Sequence, residues 1–361
     1  MHSVQEKALD DMTENRFLIE LLDRNRWDRA AAEFKDLSYL QCGSYSAWAA
    51  RNVSSDSEFI AFKQGNALVG LSNVRIRRIG ALPFGIAYVN GGPLTDSDES
   101  LSPERFRGCL KALYEEYVAR RHLILRVVPP ANGGMNLKTM QDCLEAERFF
   151  PNANRASPEE TFILDLDQSL DELRKNLNPK WRSDLLKAEK NDLKITRSSS
   201  LADFDRFEPL YLELAARKGF RAVHDASFFR RVQSTSQPYE ELCVHLAWHG
   251  GEVVAGHVGS FVGNTAVHLL GASNVKGREQ RASHLLQLAA ITHAKSQGNR
   301  FYDLGGINEV ENPNVFTFKK RMNGRRVTSL GSYQIASHRI AASIFGVIEN
   351  AHRTLSKLRT R

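Results

Sequence analysis

Two stretches of this 361-residue chain follow one order of elements: a hairpin, a strand ending in glycine, a loop, a helix of about fifteen residues, and a short strand that stops. In the first, Glu58–Lys63 and Leu68–Leu71 flank a turn at Gly65-Asn66, and Ile86–Val89 runs into Asn90-Gly91-Gly92-Pro93. A helical pattern over Pro103–Arg121 carries Phe106, Leu110, Leu113 and Tyr117 on one face, and Leu123–Val128 is halted by Pro129-Pro130. In the second, Glu241–His249 and Val253–Val262 flank Gly250-Gly251, and Ala266–Gly271 follows. A helix over Ser283–Gln297 then leads to Phe301–Leu304 and the stop at Gly305-Gly306. Hairpins followed by a helix that crosses to another strand build a mixed α/β sheet, and a chain of this length exceeds one comfortable core. The expectation is two copies of one α/β domain, residues 1–157 and 158–335, divided at the turn-rich Phe150–Pro158. A basic amphipathic helix over 336–361 follows. Outside the duplicated order, the first thirty residues read as helix, a second helix carries Tyr45 and Trp48, and Asn178-Pro179 opens another.

Charge and composition narrow the class. Forty-nine Lys+Arg against 42 Asp+Glu leave a net charge of +7, too small to indicate nucleic-acid binding yet compatible with an anionic partner. No apolar run approaches the ~20 residues of a membrane span. The opening residues, with acidic Asp10, Asp11 and Glu14, do not read as a leader, so the expected location is the cytoplasm. Cys42, Cys109, Cys143 and Cys243 are scattered and read as buried free thiols. His245 and His249 share a strand face without a third ligand, and with His257 and His268 they read as structural; no metal site is expected.

Four segments resemble the Fem-type (FemABX) aminoacyltransferases. They are Thr161–Leu166 with Asn178-Pro179-Lys180-Trp181-Arg182 and Lys187–Lys190; Ala216-Arg217-Lys218-Gly219-Phe220; Tyr302–Ile307; and Phe316-Thr317-Phe318-Lys319 leading to Met322-Asn323-Gly324. Weaker likeness covers Leu40-Gln41, Trp48 and Asn90–Leu94. The resemblance implies tandem GNAT-like (acetyltransferase-like) domains and transfer of an amino acid from aminoacyl-tRNA, without a bound cofactor, to an amine on a peptidoglycan or related cell-envelope precursor. No long coiled-coil insertion is visible. Near Phe220 the family pattern leads one to expect an Arg and a Tyr, where His224 and Phe228 stand, which puts the usual nucleotide-linked precursor in doubt.

Such chemistry requires a neutral amine, an activated ester and a donor for the oxyanion. The resemblance implies that Lys319 is that donor; alone, it reads either as one solvated cation beside Lys320 and Arg321 or as a lysine positioned by the aromatics Phe316 and Phe318 before it. Tyr302 and Asp303, before Gly305 and Gly306, lie at a strand end, where ligands bind in α/β folds. Asp303 either orients an ammonium or caps the turn. Gly91 and Gly92 would shape the acceptor groove, Phe318 the substrate wall, and Lys180, Arg182 and Arg217 would meet a polyanion. The spacing of Lys180, Asp184 and Lys187 equally describes a solvated helix face, with Trp181 offering an aromatic for a single-stranded end.

The acyl-CoA alternative needs a glycine cradle for a diphosphate at a helix start. Here Arg278-Glu279-Gln280-Arg281-Ala282-Ser283 has Arg281 and Ser283 where glycines belong, which disfavours CoA. A third reading is a non-catalytic GNAT pair, with the C-terminal helix lying on the inner membrane surface.

Overall fold

The computed structural model describes residues 16–78, 85–95, 102–130, 136–152, 159–219 and 224–337. Its first half contains β1 (Phe17–Leu22), α1 (Arg24–Ala31), α2 (Gly43–Asn52), β2 (Asp56–Gln64), β3 (Ala67–Arg78) and β4 (Gly85–Asn90). These are followed by α3 (Pro103–Leu113), β5 (Ile124–Val128), α4 (Leu137–Ala146) and the short β6 (Phe150–Pro151). The second half opens with β7 (Glu160–Asp165), α5 (Leu170–Asn176), α6 (Pro179–Lys190), β8 (Lys194–Ser198), α7 (Leu201–Lys218) and α8 (Ala226–Gln233). It continues through β9 (Leu242–His249), β10 (Glu252–Ser260), β11 (Thr265–Ser273), α9 (Val275–Glu279) and α10 (Ala282–Ser296). The last elements are β12 (Phe301–Asp303), α11 (Pro313–Lys320), β13 (Arg325–Thr328) and β14 (Tyr333–Ile335).

These strands form two seven-stranded sheets, β1-β2-β3-β4-β5-β14-β6 and β8-β9-β10-β11-β12-β7-β13. The sheets match position for position. Each has one parallel pair, β4 with β5 and β11 with β12, at the place where a helical crossover must return the chain. All other pairings are antiparallel. The mixed α/β architecture expected from the repeated order is therefore present. In the second sheet, the neighbour of β12 is β7, from the start of that half; in the first, the equivalent place beside β5 is taken by β14, from the far end. So residues 333–335, which sequence reading placed in the second domain, complete the first sheet.

The expected helix over the first thirty residues is corrected. Residues 1–15 lie outside the described residues; of the rest, Phe17–Leu22 is a strand in full antiparallel register with β2, Phe17 opposite Gln64 and Leu22 opposite Phe59, and Arg24–Ala31 is helical. A sheet edge offering backbone partners outweighs the local pattern. The helix expected to reach Arg121 changes hydrogen-bonding pattern after Leu113, and Tyr114–Arg120 is π-helical. There the Tyr117 hydroxyl donates to Glu58 at 2.8 Å and Arg121 pairs with the same carboxylate at 2.8 Å. The amphipathic helix expected over 336–361 lies outside the described residues apart from its first two positions.

One apolar cluster runs across both halves, joining Trp27, Tyr45 and Ala49 to Phe204, Phe207, Phe228 and Leu246. At its margin sits Glu240, its side chain fully buried. The carboxylate pairs with Arg24 and accepts from the Ser44 hydroxyl at 2.6 Å and the Ser44 amide at 3.1 Å. Arg24 also holds Asp28 at 2.7 Å, and Asp28 accepts from the Tyr239 hydroxyl at 2.8 Å. A buried pair of this kind is costly to break singly, because the surviving partner keeps its desolvation penalty. Glu240→Ala is expected to lower unfolding stability by about 3–5 kcal/mol, and Glu240→Gln, which retains the shape and one acceptor oxygen, by less. Urea unfolding checks this, and equal losses for the two variants would remove the ionic interpretation.

Candidate active site

The site forms where β12 ends. Its pairing with β11 lasts only from Phe301 opposite Thr265 to Asp303 opposite Val267, while β11 runs on to Ser273. The two strands therefore part beyond Val267. Gly305 makes the turn at φ +75°, and a Cβ there would lie 2.6 Å from the His268 carbonyl oxygen, so only glycine fits. Helix α11 then carries Lys319 back to this turn. Phe316, on the helix's buried side, packs against Phe162 and fixes its approach.

The Lys319 ammonium donates to the carbonyl oxygens of Gly305 at 3.1 Å and Gly306 at 2.9 Å. A lysine ammonium has three N–H groups, so these two bonds leave one for a ligand. The side chain is 9% exposed, and burial pulls its pKa down to about 8 despite the nearby Asp303 carboxylate. Lys319 is thus the positioned cation, not a solvated one.

Asp303 takes the second of its expected roles. Its Oδ1 accepts from the Gly305 amide at 2.8 Å and from the Thr161 hydroxyl, capping the turn that displays the two carbonyls. Burial raises its pKa, opposed by those hydrogen bonds and by Lys319. Tyr302 points to the opposite face, as alternation along a strand requires. Its hydroxyl lies 3.0 Å from His257 Nε2 and accepts from Gln287 Nε2 at 2.9 Å. The expected part for Tyr302 in placing an acceptor amine is corrected accordingly: it is a fully buried support beneath the site.

Two cavities meet at this point. One, of about 440 Å³, is lined by Lys319, Phe318, Arg217, Lys218, Arg278 and Ser283, among others. The other, of about 420 Å³, lies between the halves and is lined by Tyr39, Tyr45, Asn90, Gly91, His224, Asp303, Gly305 and Gly306. His268 stands in the walls of both. Burial, and then the charge of Lys319, hold its pKa down to about 3, and its Nδ1 has no hydrogen-bond partner among the described residues. Sequence reading gave His268 no role beyond structure, and a lone histidine on a strand carries no signal that would have changed this.

The remaining candidates divide. Arg217 and Phe318 line the first cavity; Arg217 also pairs with Glu213 at 3.3 Å. Gly91, at φ +72°, lines the second, whereas Gly92 packs on the Gln41 side chain behind it. Lys180 pairs with Asp184 at 3.0 Å, and Arg182 donates to the Lys175 carbonyl at 2.9 Å; neither lines either cavity. Trp181 is buried between His284 and Phe318, so it offers no face to a nucleotide, correcting the stacking role considered for it. At the start of α10, Arg281 adopts φ +57° and turns its guanidinium to Asp184 at 2.7 Å.

Comparison with known proteins agrees with this geometry. Residues 172–320 match the family model described as an acetyltransferase (GNAT) domain. The lipid II:glycine glycyltransferase of Staphylococcus saprophyticus is 23% identical over 151 residues, which covers 40% of this chain and 35% of that protein. The matched stretch therefore spans about a third of that relative's length. The crystal structure of FemX superposes with a TM-score of 0.77 at 16% identity, covering 91% of this chain and 99% of that one. A conserved protein of unknown function from Bacteroides thetaiotaomicron gives 0.56 at 13% identity, with 88% and 98% covered. The FemX likeness shows the fold over most of the chain, and residues 172–320 are similar to a GNAT acetyltransferase domain. Together, the glycyltransferase and FemX similarities support a Fem-type family.

Because burial favours the neutral amine, Lys319 in the folded chain ionises below its unfolded value. Between about pH 8 and 10 the unfolded chain therefore binds more protons, and stability gains from this residue as pH rises through that window; below it the cost is present in full. In ¹³C-labelled lysine NMR, one Nζ-coupled resonance should titrate near pH 8 and vanish in Lys319→Met. A spectrum in which every lysine titrates at the ordinary value would refute the burial of this ammonium.

Proposed function

We propose that the protein transfers an aminoacyl group from aminoacyl-tRNA to the amine of a peptidoglycan precursor or related cell-envelope metabolite. The observation that carries this reading is the Lys319 ammonium held on the Gly305 and Gly306 carbonyls where the two cavities meet. An ester entering through one cavity and an amine through the other would be brought together beside a fixed donor.

In that reading the cavity bounded by Arg217, Lys218 and Arg278 receives the donor end, and the cleft between the halves receives the acceptor. The amine nitrogen attacks the ester carbonyl and forms the C–N bond. The ester C–O bond then breaks, and the ribose hydroxyl leaves with a proton as the amide forms. The free N–H of Lys319 stabilises the oxygen on which charge develops. The proton shed by the attacking amine passes to the departing ribose oxygen, so no charge is left on either product. No cofactor is invoked. Among the described residues no helix is long and apolar enough to cross a membrane. Work in the cytoplasm, with peripheral contact at the inner membrane face, accords with a precursor of the envelope and belongs to the same proposal.

The acyl-CoA reading draws on one observation: Ser283, in the first turn of α10, and Arg278 both line the donor cavity. The two readings separate in one assay. Purified protein with charged tRNA and a panel of muropeptide amines should release the amino acid as an amide, with binding that weakens steeply as salt rises. Lys319→Ala should lower turnover by roughly 10²–10³-fold, and Lys319→Arg should keep its charge to higher pH, moving the alkaline fall in rate upward. Acetyl-CoA raising the melting temperature while tRNA leaves it unchanged would select the coenzyme instead.

A further inference from the structure

Behind the donor cavity, on the face of β9 that packs against α10, three side chains converge that the transfer chemistry does not use. Cys243 and His245 are two residues apart on β9 and so point to the same side, where Ala247 meets Ala282 and Leu286 of α10. His293, near the end of α10, comes over them from above. One ligand atom from each lies within 4.8 Å of the others. The polar atoms here are unexplained by the protein itself. His245 is 1% exposed, and among the described residues neither of its ring nitrogens has a hydrogen-bond partner; His293 Nδ1 is buried and also lacks one there. Buried polar groups normally find partners, and two adjacent imidazoles without any are an anomaly in a folded core.

We propose that Cys243, His245 and His293 form a zinc site that staples the second sheet to helix α10. A thiolate with two imidazoles is a donor set that zinc takes in tetrahedral geometry, with bonds of about 2.0–2.3 Å, which puts ligand atoms roughly 3.3–3.8 Å apart. Contraction of the present cluster by about 1 Å, within reach of side-chain rotation, produces that arrangement. Burial keeps the two imidazoles neutral, with pKa held down to about 2 at His245 and about 4 at His293, so their lone pairs are free. Cys243 is protonated before binding, since burial pushes its thiol up to about 12. On binding, the S–H bond is exchanged for an S–Zn bond and one proton goes to solvent. The charged groups that act on Cys243 are Arg197 of β8, in register with His245 across the sheet, which favours the thiolate, and Glu241 and Asp203, which oppose it.

The staple is structural. His245 stacks at 5.3 Å on His257, whose Nε2 meets the Tyr302 hydroxyl under the active-site strand, so the ion would stiffen the floor of the cavity without touching substrate. The inference stands independently of the acyl donor. Untagged protein should be equilibrated with zinc, dialysed, and analysed by inductively coupled plasma mass spectrometry, with cobalt(II) replacing zinc in a parallel sample. Expected are about one metal per chain, a thiolate-to-cobalt charge-transfer band, and a melting temperature that rises with zinc. Cys243→Ser should abolish the band, and His293→Ala, at a half-exposed position that tolerates truncation, should weaken zinc binding by roughly tenfold or more. Less than about a tenth of an equivalent in the wild type, or equal metal content in wild type and both variants with native circular dichroism, would overturn the site.

Discussion

A buried ammonium resting on two backbone carbonyls is the interaction around which the second half is organised. Lys319 can lie there only because Gly305 turns at positive φ, because Asp303 and Thr161 tie that turn down, and because α11 is pressed against Phe162. Each condition is met by ordinary strand or helix packing. The result is less ordinary: a cation with its water removed, two of its three donors occupied, and the third left beside a cavity. Desolvation costs the folded state something, as the depressed pKa of Lys319 records. It also makes the remaining donor stronger than a solvated one, since a preorganised dipole in a dry site needs no reorientation when charge appears.

Duplication explains why this point faces a second cavity. In both sheets the parallel pair sits at the same position, so a strand-end opening is generated twice. Only the second copy places a lysine at its opening. The first contributes Asn90 and Gly91, at the end of β4, and Val128, at the end of β5, to the wall opposite. The chain passes between sheets after β6 and again before β14, and the apolar cluster from Trp27 to Phe228 spans both halves. Two backbone crossings, a shared core and the buried Glu240 make the cleft between the sheets a fixed feature.

How far the sequence foretold this depends on the range of the forces involved. Hairpins at Gly65-Asn66 and Gly250-Gly251, the caps before α3 and α6, and the glycine stop after β12 follow from local backbone chemistry, and all stand where expected. Phe17–Leu22 was misread because its partner, β2, lies far along the chain, and strand identity there is decided by pairing. The stretch between α6 and β9, with β8, α7 and α8, was not resolved into elements; Pro209 inside α7 blurs the helical pattern. Lys319 could be singled out because two phenylalanines, Phe316 and Phe318, stand just before it, but the opposed directions of Tyr302 and Asp303 depend on which face of β12 meets α10. The Cys243–His245–His293 cluster had no local spacing to betray it, since one ligand comes from a helix and two from a strand.

The distribution of charge separates what the two cavities can hold. Around the cavity that Lys319 lines, Arg217, Lys218 and Arg278 come from two places in the fold, the end of α7 and α9. Lys218 and Arg278 spend hydrogen bonds on the Asn312 side chain and the Ser273 carbonyl, neutral partners that leave their charge uncompensated. The opposite cleft is different in kind: Tyr39, Tyr45, Tyr88 and His224 give it aromatic walls, with the carboxylates of Glu159 and Asp303 among its lining groups. Burial lowers the pKa of the His224 ring, with Arg75 pressing in the same direction and Asp225 opposing. An anionic ligand is therefore favoured on the side of Lys319 and a cationic or neutral group on the other; in the proposed reading these are the acyl donor and the acceptor amine. That asymmetry is what acyl transfer to an amine demands, because the ammonium must lose its proton where a carboxylate no longer dominates the field, beside the one cation that charge development in the ester will need.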